Sequence, residues 1–275
     1  MPSLGIENIS VFGLPPVAFV TLAADLGCQH ISTGLASFDF GVCDYPPYSL
    51  RDDAALRREM IAVMRDRGIS ISLGEGLTIR PGATARDYAR DLDLFVELGA
   101  ERINTVSMDP DFARTCDEFA RLTELGVARG LRVTTELAPS LTVNSLPLAL
   151  EAVRRVGHPE FRLLIDTMHV IRSGSTRADV AALDPDVIDY IQICDASRAP
   201  RCASYHEEAM FERMVPGEGE LELADLVAVL PADRVYAIEV PQRSEARAGK
   251  GPMERLGRCV AAVRRMLAEA HSATP

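Results

Sequence analysis

Short apolar, β-branched runs alternate along the chain with longer stretches of helical period. The runs at 4–12 (LGIENISVF), 28–33 (CQHIST), 69–74 (ISISLG), 102–107 (RINTVS), 131–137 (LRVTTEL), 161–166 (FRLLID), 190–195 (YIQICD) and 235–240 (VYAIEV) read as strands. Between them, Phe19, Leu22, Ala23 and Leu26 repeat at i, i+3, i+4, i+7, and Tyr88, Leu92, Phe95 and Val96 at i, i+4, i+7, i+8. Each segment therefore offers one apolar helix face to a sheet. Gly27, Gly68, Gly99 and Gly130 fall just before the next strand, where a helix C-terminus favours a left-handed residue.

These strands are too apolar to keep one face wet, which points to a parallel sheet covered by helices. Eight strand–helix units in 275 residues predict a single-domain α/β chain, a closed (β/α)8 barrel spanning 1–275. An open doubly wound sheet is the alternative. Against it, the first strand leads into VFGLPP and not into the glycine-rich turn of a dinucleotide site. Residues 196–220 separate strand seven from the next clear helix. A connection that long in a compact domain predicts a functional lid, and YHEEAMFERM within it has short helical character.

Charge narrows the partners. The net charge of −11, from 29 basic and 40 acidic residues, opposes loose attachment to nucleic acid or to an anionic membrane. MPSLGIENIS lacks the basic and apolar regions of a signal peptide, and no apolar run approaches the roughly 18 to 20 residues of a membrane span. The six cysteines, at 28, 43, 116, 194, 202 and 259, form no CxxC pair, which suits reduced thiols in a cytoplasm.

Strand ends carry the candidate chemistry. In a barrel of this kind the reacting groups gather at the C-terminal ends of the strands. Strands five to eight end in Glu136 (TTELAP), Asp166 (LLIDTMH), Gln192 (YIQICDAS) and Glu239 (YAIEVP), each among apolar neighbours. Any one of them could be a cap or a hydrogen-bonded strand-end group. Together, three carboxylates around one mouth would repel, and each would be costly to bury. One divalent cation removes the conflict, and all-oxygen ligation favours Mn2+ or Mg2+, with Co2+ or Zn2+ behind.

The ordered series Glu136, Asp166, Gln192, Glu239, the DTMH sequence and the segment RMVPGEGELEL resemble the xylose-isomerase-like TIM barrels, and the resemblance covers essentially the whole chain. That group includes sugar isomerases, ketose 3-epimerases, inosose and 3-dehydroshikimate dehydratases, and endonuclease IV. The resemblance implies that the four strand-end groups hold one metal and that Glu136 and Glu239 flank the substrate and move protons. It implies that His169 faces the substrate, and that Arg198 (CDASR) and Arg213 (RMVPGEG) match substrate-contacting arginines, a solvated surface arginine being the alternative for both. Relatives of this kind often form homo-oligomers. Two departures count. Tyr190 and Gln192 stand where ketose 3-epimerases carry HxH, which looks more like the dehydratases. Only five histidines are present, too few for the three-zinc site of endonuclease IV.

The function expected is a divalent-metal-dependent isomerase or epimerase of a small sugar or polyhydroxylated ketone, working through an enediolate with the two glutamates as proton carriers. A dehydratase of an inosose or 3-dehydroshikimate-like compound shares the first step. A barrel that binds metal or sugar without catalysis is the alternative of another class. Glu75 (SLGEGL) could reach the mouth as a substrate contact or form an ordinary turn. His30 reads as a satisfied core histidine, and His206 lies on the expected lid, over substrate or exposed. Glu218 and Glu220 read as caps of a helix beginning near Leu221.

Overall fold

The computed structural model describes residues 2–38 and 40–272. Eight parallel strands close on themselves in chain order: β1 (Leu4–Ile6), β2 (His30–Thr33), β3 (Ser70–Ile79), β4 (Arg102–Ser107), β5 (Arg132–Glu136), β6 (Phe161–Asp166), β7 (Ile188–Ile193) and β8 (Val235–Ile238), with β8 pairing back to β1. The principal outer helices are α1 (Pro16–Asp25), α2 (Ala54–Arg67), α3 (Ala89–Glu97), α4 (Phe112–Val127) and α5 (Leu146–Val156). They are followed by α6 (Thr167–Arg172), α7 (Arg177–Ala181), α8 (Tyr205–Phe211), α9 (Leu223–Val227), α10 (Arg243–Arg247) and α11 (Pro252–Ser272). The chain is thus the single-domain (β/α)8 barrel its pattern predicts. No helix among the described residues is long and apolar enough to cross a membrane.

Local chemistry fixes the turns. Gly27, Gly68, Gly99 and Gly130 all take positive φ, as their places before strands require. Asp53 and Asp111 cap α2 and α4 by accepting backbone N–H groups of the first turn. Two strands differ from expectation by more than two residues at an end. β1 stops at Ile6, because residues Asn8–Val11 wind into a 3-10 turn that ends on Phe12 at φ 51°. β3 continues to Ile79 through a register shift between Gly74 and Leu77, where exposed Gly76 supplies a φ of 96°.

The main apolar core lies between the strands and the helix ring, and includes Phe19, Phe95, Phe119 and Phe161. A smaller cluster of Leu73, Leu164, Tyr190 and Ala237 fills the barrel itself. Tyr190 is fully buried, and its hydroxyl is satisfied by Ser72 Oγ at 2.9 Å and by donation to Glu7 Oε1 at 2.9 Å. Beneath it, Arg102 lies over the Tyr190 ring and pairs with buried Asp189 at 2.8 Å. Polar groups therefore line the barrel axis, and Tyr190, Arg102 and Asp189 each have a partner there.

The stretch 196–220 is not one open loop. Its middle is helix α8, and Met214 pairs with Asp195 in an antiparallel bridge. The Asp195 carboxylate accepts the N–H groups of Gly217 at 2.9 Å and Gly219 at 3.0 Å, pinning the PGEG turn to the end of β7. Glu218 and Glu220 do not cap the next helix. Glu222 occupies the position before α9 without a side-chain bond, while Glu218 pairs with Arg258 and Glu220 accepts from the Arg198 N–H.

Candidate functional site

Strand register brings the polar ends together. Glu136 and Asp166 are the last residues of β5 and β6, Gln192 pairs in register with Asp166, and Glu239 follows the last residue of β8. Asp166 also starts α6, where its Oδ1 accepts the His169 N–H at 2.7 Å. One helical turn therefore carries His169 back over the barrel mouth. Its Nε2 lies 3.2 Å from Glu136 Oε1, and its Nδ1 meets the Tyr205 hydroxyl, brought in on α8. Asn104, on β4, donates to the other Glu136 oxygen at 3.3 Å.

Arg213 sits at the centre. Its Nη1 contacts Asp166 Oδ2, lies 2.7 Å from Glu239 Oε2 and 3.2 Å from Cys194 Sγ, while its Nε donates to the Ala209 carbonyl at 2.7 Å. Gln192 Nε2 donates to Glu239 Oε1 at 3.2 Å, and Gln192 Oε1 is buried without a hydrogen-bond partner. On the far side of Glu239, Glu7 and Glu75 bring carboxylate oxygens to within 4.8 Å of it and of each other. Glu75 Oε2 accepts from Ser32 Oγ at 3.3 Å.

Burial and charge separate these acids. Burial would raise the Asp166 carboxyl, but Arg213 and His169 outweigh it and hold the group well below the ordinary carboxylate range. Glu239 is pushed well above that range by burial against Arg213, with the Asp166 and Glu136 charges adding to the rise. Burial lifts Glu7 to about 7, and burial with the Glu7 charge lifts Glu75 well above its ordinary value. One mouth thus holds carboxyls driven in opposite directions.

The residues fit a divalent ion. Ligand atoms of Glu136, Asp166 and His169 lie within 4.8 Å of one another, and the unpartnered oxygen of Gln192 belongs to a side chain already bonded to Glu239. The carboxylates and the amide oxygen of Gln192 form a donor set that accepts several first-row divalent ions, with the His169 imidazole beside it.

Glu136, Asp166, His169, Gln192, Arg213 and Glu239 are brought together, and Glu75 stands beside Glu239. Arg198 is not: its side chain is 72% exposed and pairs with Glu222 at 2.9 Å, because the chain turns outward after Asp195. His206 is exposed on α8, and His30, at the opposite end of β2, bonds Ser70 Oγ at 2.8 Å. The strand-end pattern does not single out Glu7, Tyr205 or Asn104. Glu7 carries the same signal as Glu136, an acid closing an apolar run, in LGIEN.

A cavity of about 450 Å³ opens on Glu75 and Glu239, walled by Ile9, Phe38, Phe40 and Met210 and edged by Arg51 and Asp91. It gives an open approach to Glu75 and Glu239.

Among curated proteins, a 3-dehydroshikimate dehydratase of Pseudomonas putida is 29% identical over 189 residues, which is 64% of this chain and 29% of that protein. The chain therefore spans less than a third of that relative's length. Among solved structures, the IolI protein with a bound zinc atom superposes with a TM-score of 0.79 at 15% identity, covering 98% of this chain and 99% of that one. An L-ribulose 3-epimerase superposes at 0.72 and 14% identity, covering 99% and 96%. The curated relative is thus named for loss of water, while the two solved structures share the fold. The family described as the xylose isomerase-like TIM barrel matches residues 20–258, and the chain belongs to it.

Proposed function

We propose that the chain is a divalent-metal-dependent enzyme that moves a proton beside the carbonyl of a small sugar or polyhydroxylated ketone, giving isomerisation or epimerisation. The observation that carries this reading is the pairing of His169 Nε2 with Glu136 Oε1 at 3.2 Å, on the same mouth as the differently tuned Glu239. Glu136, Asp166, Gln192 and Glu239 would hold the ion. When bound, it supplies Lewis-acid stabilisation of negative charge on a substrate oxygen, the charge that forms as the α-proton leaves.

The chain's own groups do the rest. Glu136, steadied by Asn104 and facing His169, takes the α-proton. Tyr205 bonds His169 Nδ1, so the other ring nitrogen stays turned toward Glu136 and the substrate oxygens. Glu239, which follows the last residue of β8, returns a proton from its own side of the mouth. Return to the opposite face of the same carbon gives an epimer, and return to the neighbouring carbon gives an isomer.

A second reading, loss of a β-hydroxyl as water, shares the first step and is favoured by the dehydratase of Pseudomonas putida at 29% identity. One experiment tests both. The protein is incubated with ketoses, inososes and 3-dehydroshikimate in deuterated water with Mn2+, and NMR follows C–H exchange and the product formed. Exchange abolished by chelator, with turnover abolished by Glu239→Gln, supports the proposal. Exchange that survives complete metal removal rejects it.

A further inference from the structure

Tyr205 meets His169 only where α8 holds it. That helix is short, Tyr205–Phe211, and a helix of under two turns keeps its place through what it packs against. On one side Arg243 pairs with Glu207 at 2.8 Å and lies over the Phe211 ring at 4.7 Å, with Arg243 and Glu207 both partly open to water. On the other side Glu208, its side chain 1% exposed, meets Arg172, 10% exposed, at 3.1 Å. Water weakens the first pair, whereas parting the second strands a buried charge.

A single nitrogen makes this junction. Arg172 Nη2 donates to Glu208 Oε1 and Oε2, each at 3.1 Å, and to the Ser197 carbonyl at 2.7 Å, while Arg172 Nε is buried without a partner. It thus joins α6, the chain leaving β7 and α8. Arg172 follows His169 by three residues on α6, and Glu208 follows Tyr205 by three on α8. The ion pair and the Tyr205–His169 bond therefore lie about one turn apart between the same two helices.

What this junction governs is the His169 proton. The ring lies between two carboxylates, with Glu136 Oε1 at 3.2 Å from Nε2 and Asp166 Oδ1 at 3.5 Å from Nδ1. Either could accept from a neutral imidazole, so the acids alone do not choose the tautomer. The Tyr205 hydroxyl does: donating to Nδ1, it leaves the proton on Nε2, facing Glu136. We propose that Arg172 and Glu208 are positioning residues of the site, their ion pair holding Tyr205 on His169 Nδ1 and so keeping the ring proton on Nε2. The effect on turnover rests on the proton-transfer reading above. The hydrogen bonds of both side chains go to Ser197 and to each other, so the clamp does not depend on the residues assigned to the ion.

The test follows the His169 ring by nitrogen-15 NMR in the full-length, Mg2+-loaded protein, assigned with His169→Gln, and measures kcat and KM on the ketose and inosose panel. Glu208→Met and Tyr205→Phe should each move the ring resonances toward the other tautomer and lower kcat about tenfold, with KM and bound metal little changed. The double variant should also lose about tenfold and not about a hundredfold, because both changes act through one bond. Arg172→Lys, whose ammonium can take the place of Nη2, should restore the parent resonances and keep kcat within about threefold. Where Glu208→Met does not fold, Glu208→Gln keeps the shape without the charge and should lose about threefold. Ring resonances unchanged in the Glu208 variants overturn the clamp. Additive losses in the double variant overturn the shared route through Tyr205. Resonances that move as expected, in a parent that exchanges no proton with any probe, overturn the proton-transfer reading and leave the clamp standing.

Discussion

His169 Nε2 stands 3.2 Å from Glu136 Oε1, although the two residues come from different strand–helix units. The contact exists because Asp166 ends β6 and caps α6 at once, which sets His169 one turn above the barrel mouth. A histidine held at both nitrogens can pass charge between the glutamate and a substrate oxygen without reorienting. His169→Gln should lower kcat by about 10²- to 10⁴-fold with little change in bound metal. Tyr205→Phe, which removes only the bond at Nδ1, should cost about tenfold. Steady-state kinetics with metal analysis checks both, and full activity in His169→Gln would remove the histidine from the mechanism.

Arg213 holds two buried carboxylates in the absence of another cation. Its removal strands them. Arg213→Met should therefore destabilise the metal-free protein by about 3–5 kcal/mol. A divalent ion replaces the missing charge, so added Mn2+ should restore more stability in the variant than in the parent. Urea unfolding with chelator and with Mn2+ measures the difference. Equal metal-induced stabilisation in both proteins would show that Arg213 and the ion do not share these partners.

The parts of this site legible in the sequence are those that obey strand periodicity. Glu136, Asp166, Gln192 and Glu239 each close an apolar run, and repeating that pattern eight times also gives the barrel. Glu7 escapes the pattern because residues 4–12 look like one continuous strand, and only the 3-10 turn at Asn8 exposes it as another strand-end acid. Tyr205 escapes for a different reason: its contact to His169 depends on how α8 packs across the mouth, which no local spacing encodes. The same loop separates the two arginines. Arg213 lies next to the Asp195–Met214 bridge and is drawn inward, whereas Arg198 lies where the chain leaves the barrel.

The PGEG turn makes Arg213's position depend on a residue that touches no substrate. A Cβ on Gly219 would run into the Asp195 carboxylate and lie 2.6 Å from the Ala196 carbonyl oxygen. Gly219→Ala must therefore push apart the turn and the end of β7, at a cost of about 1–3 kcal/mol. Loosening the bridge that carries Arg213 should lower kcat as well. Gly251→Ala, where a Cβ meets nothing within 4 Å, is the control and should change neither. Thermal melts and kinetics on the two variants decide, and an undisturbed Gly219→Ala would mean that the turn tolerates displacement.

Stability should respond to pH through Glu7. Burial raises this carboxyl from 4.5 to about 7. The folded state therefore holds a proton that the unfolded state releases, so the contribution is present below pH ~4.5 and is lost as pH rises toward 7. Asp166 has the opposite sign, with its folded value depressed, and it loses its contribution only in strong acid. It does not act in the same window. Glu75 is raised partly by the Glu7 charge, so removing that charge also relaxes its neighbour. In chelator, the parent should be less stable at pH 8 than at pH 5, and Glu7→Gln should shrink that difference by about 3 kcal/mol. Glutamine keeps the acceptor for the Tyr190 hydroxyl, so the barrel interior is preserved in the comparison. Urea unfolding at the two pH values gives the answer, and an identical pH dependence in both proteins would place the responsible acid elsewhere.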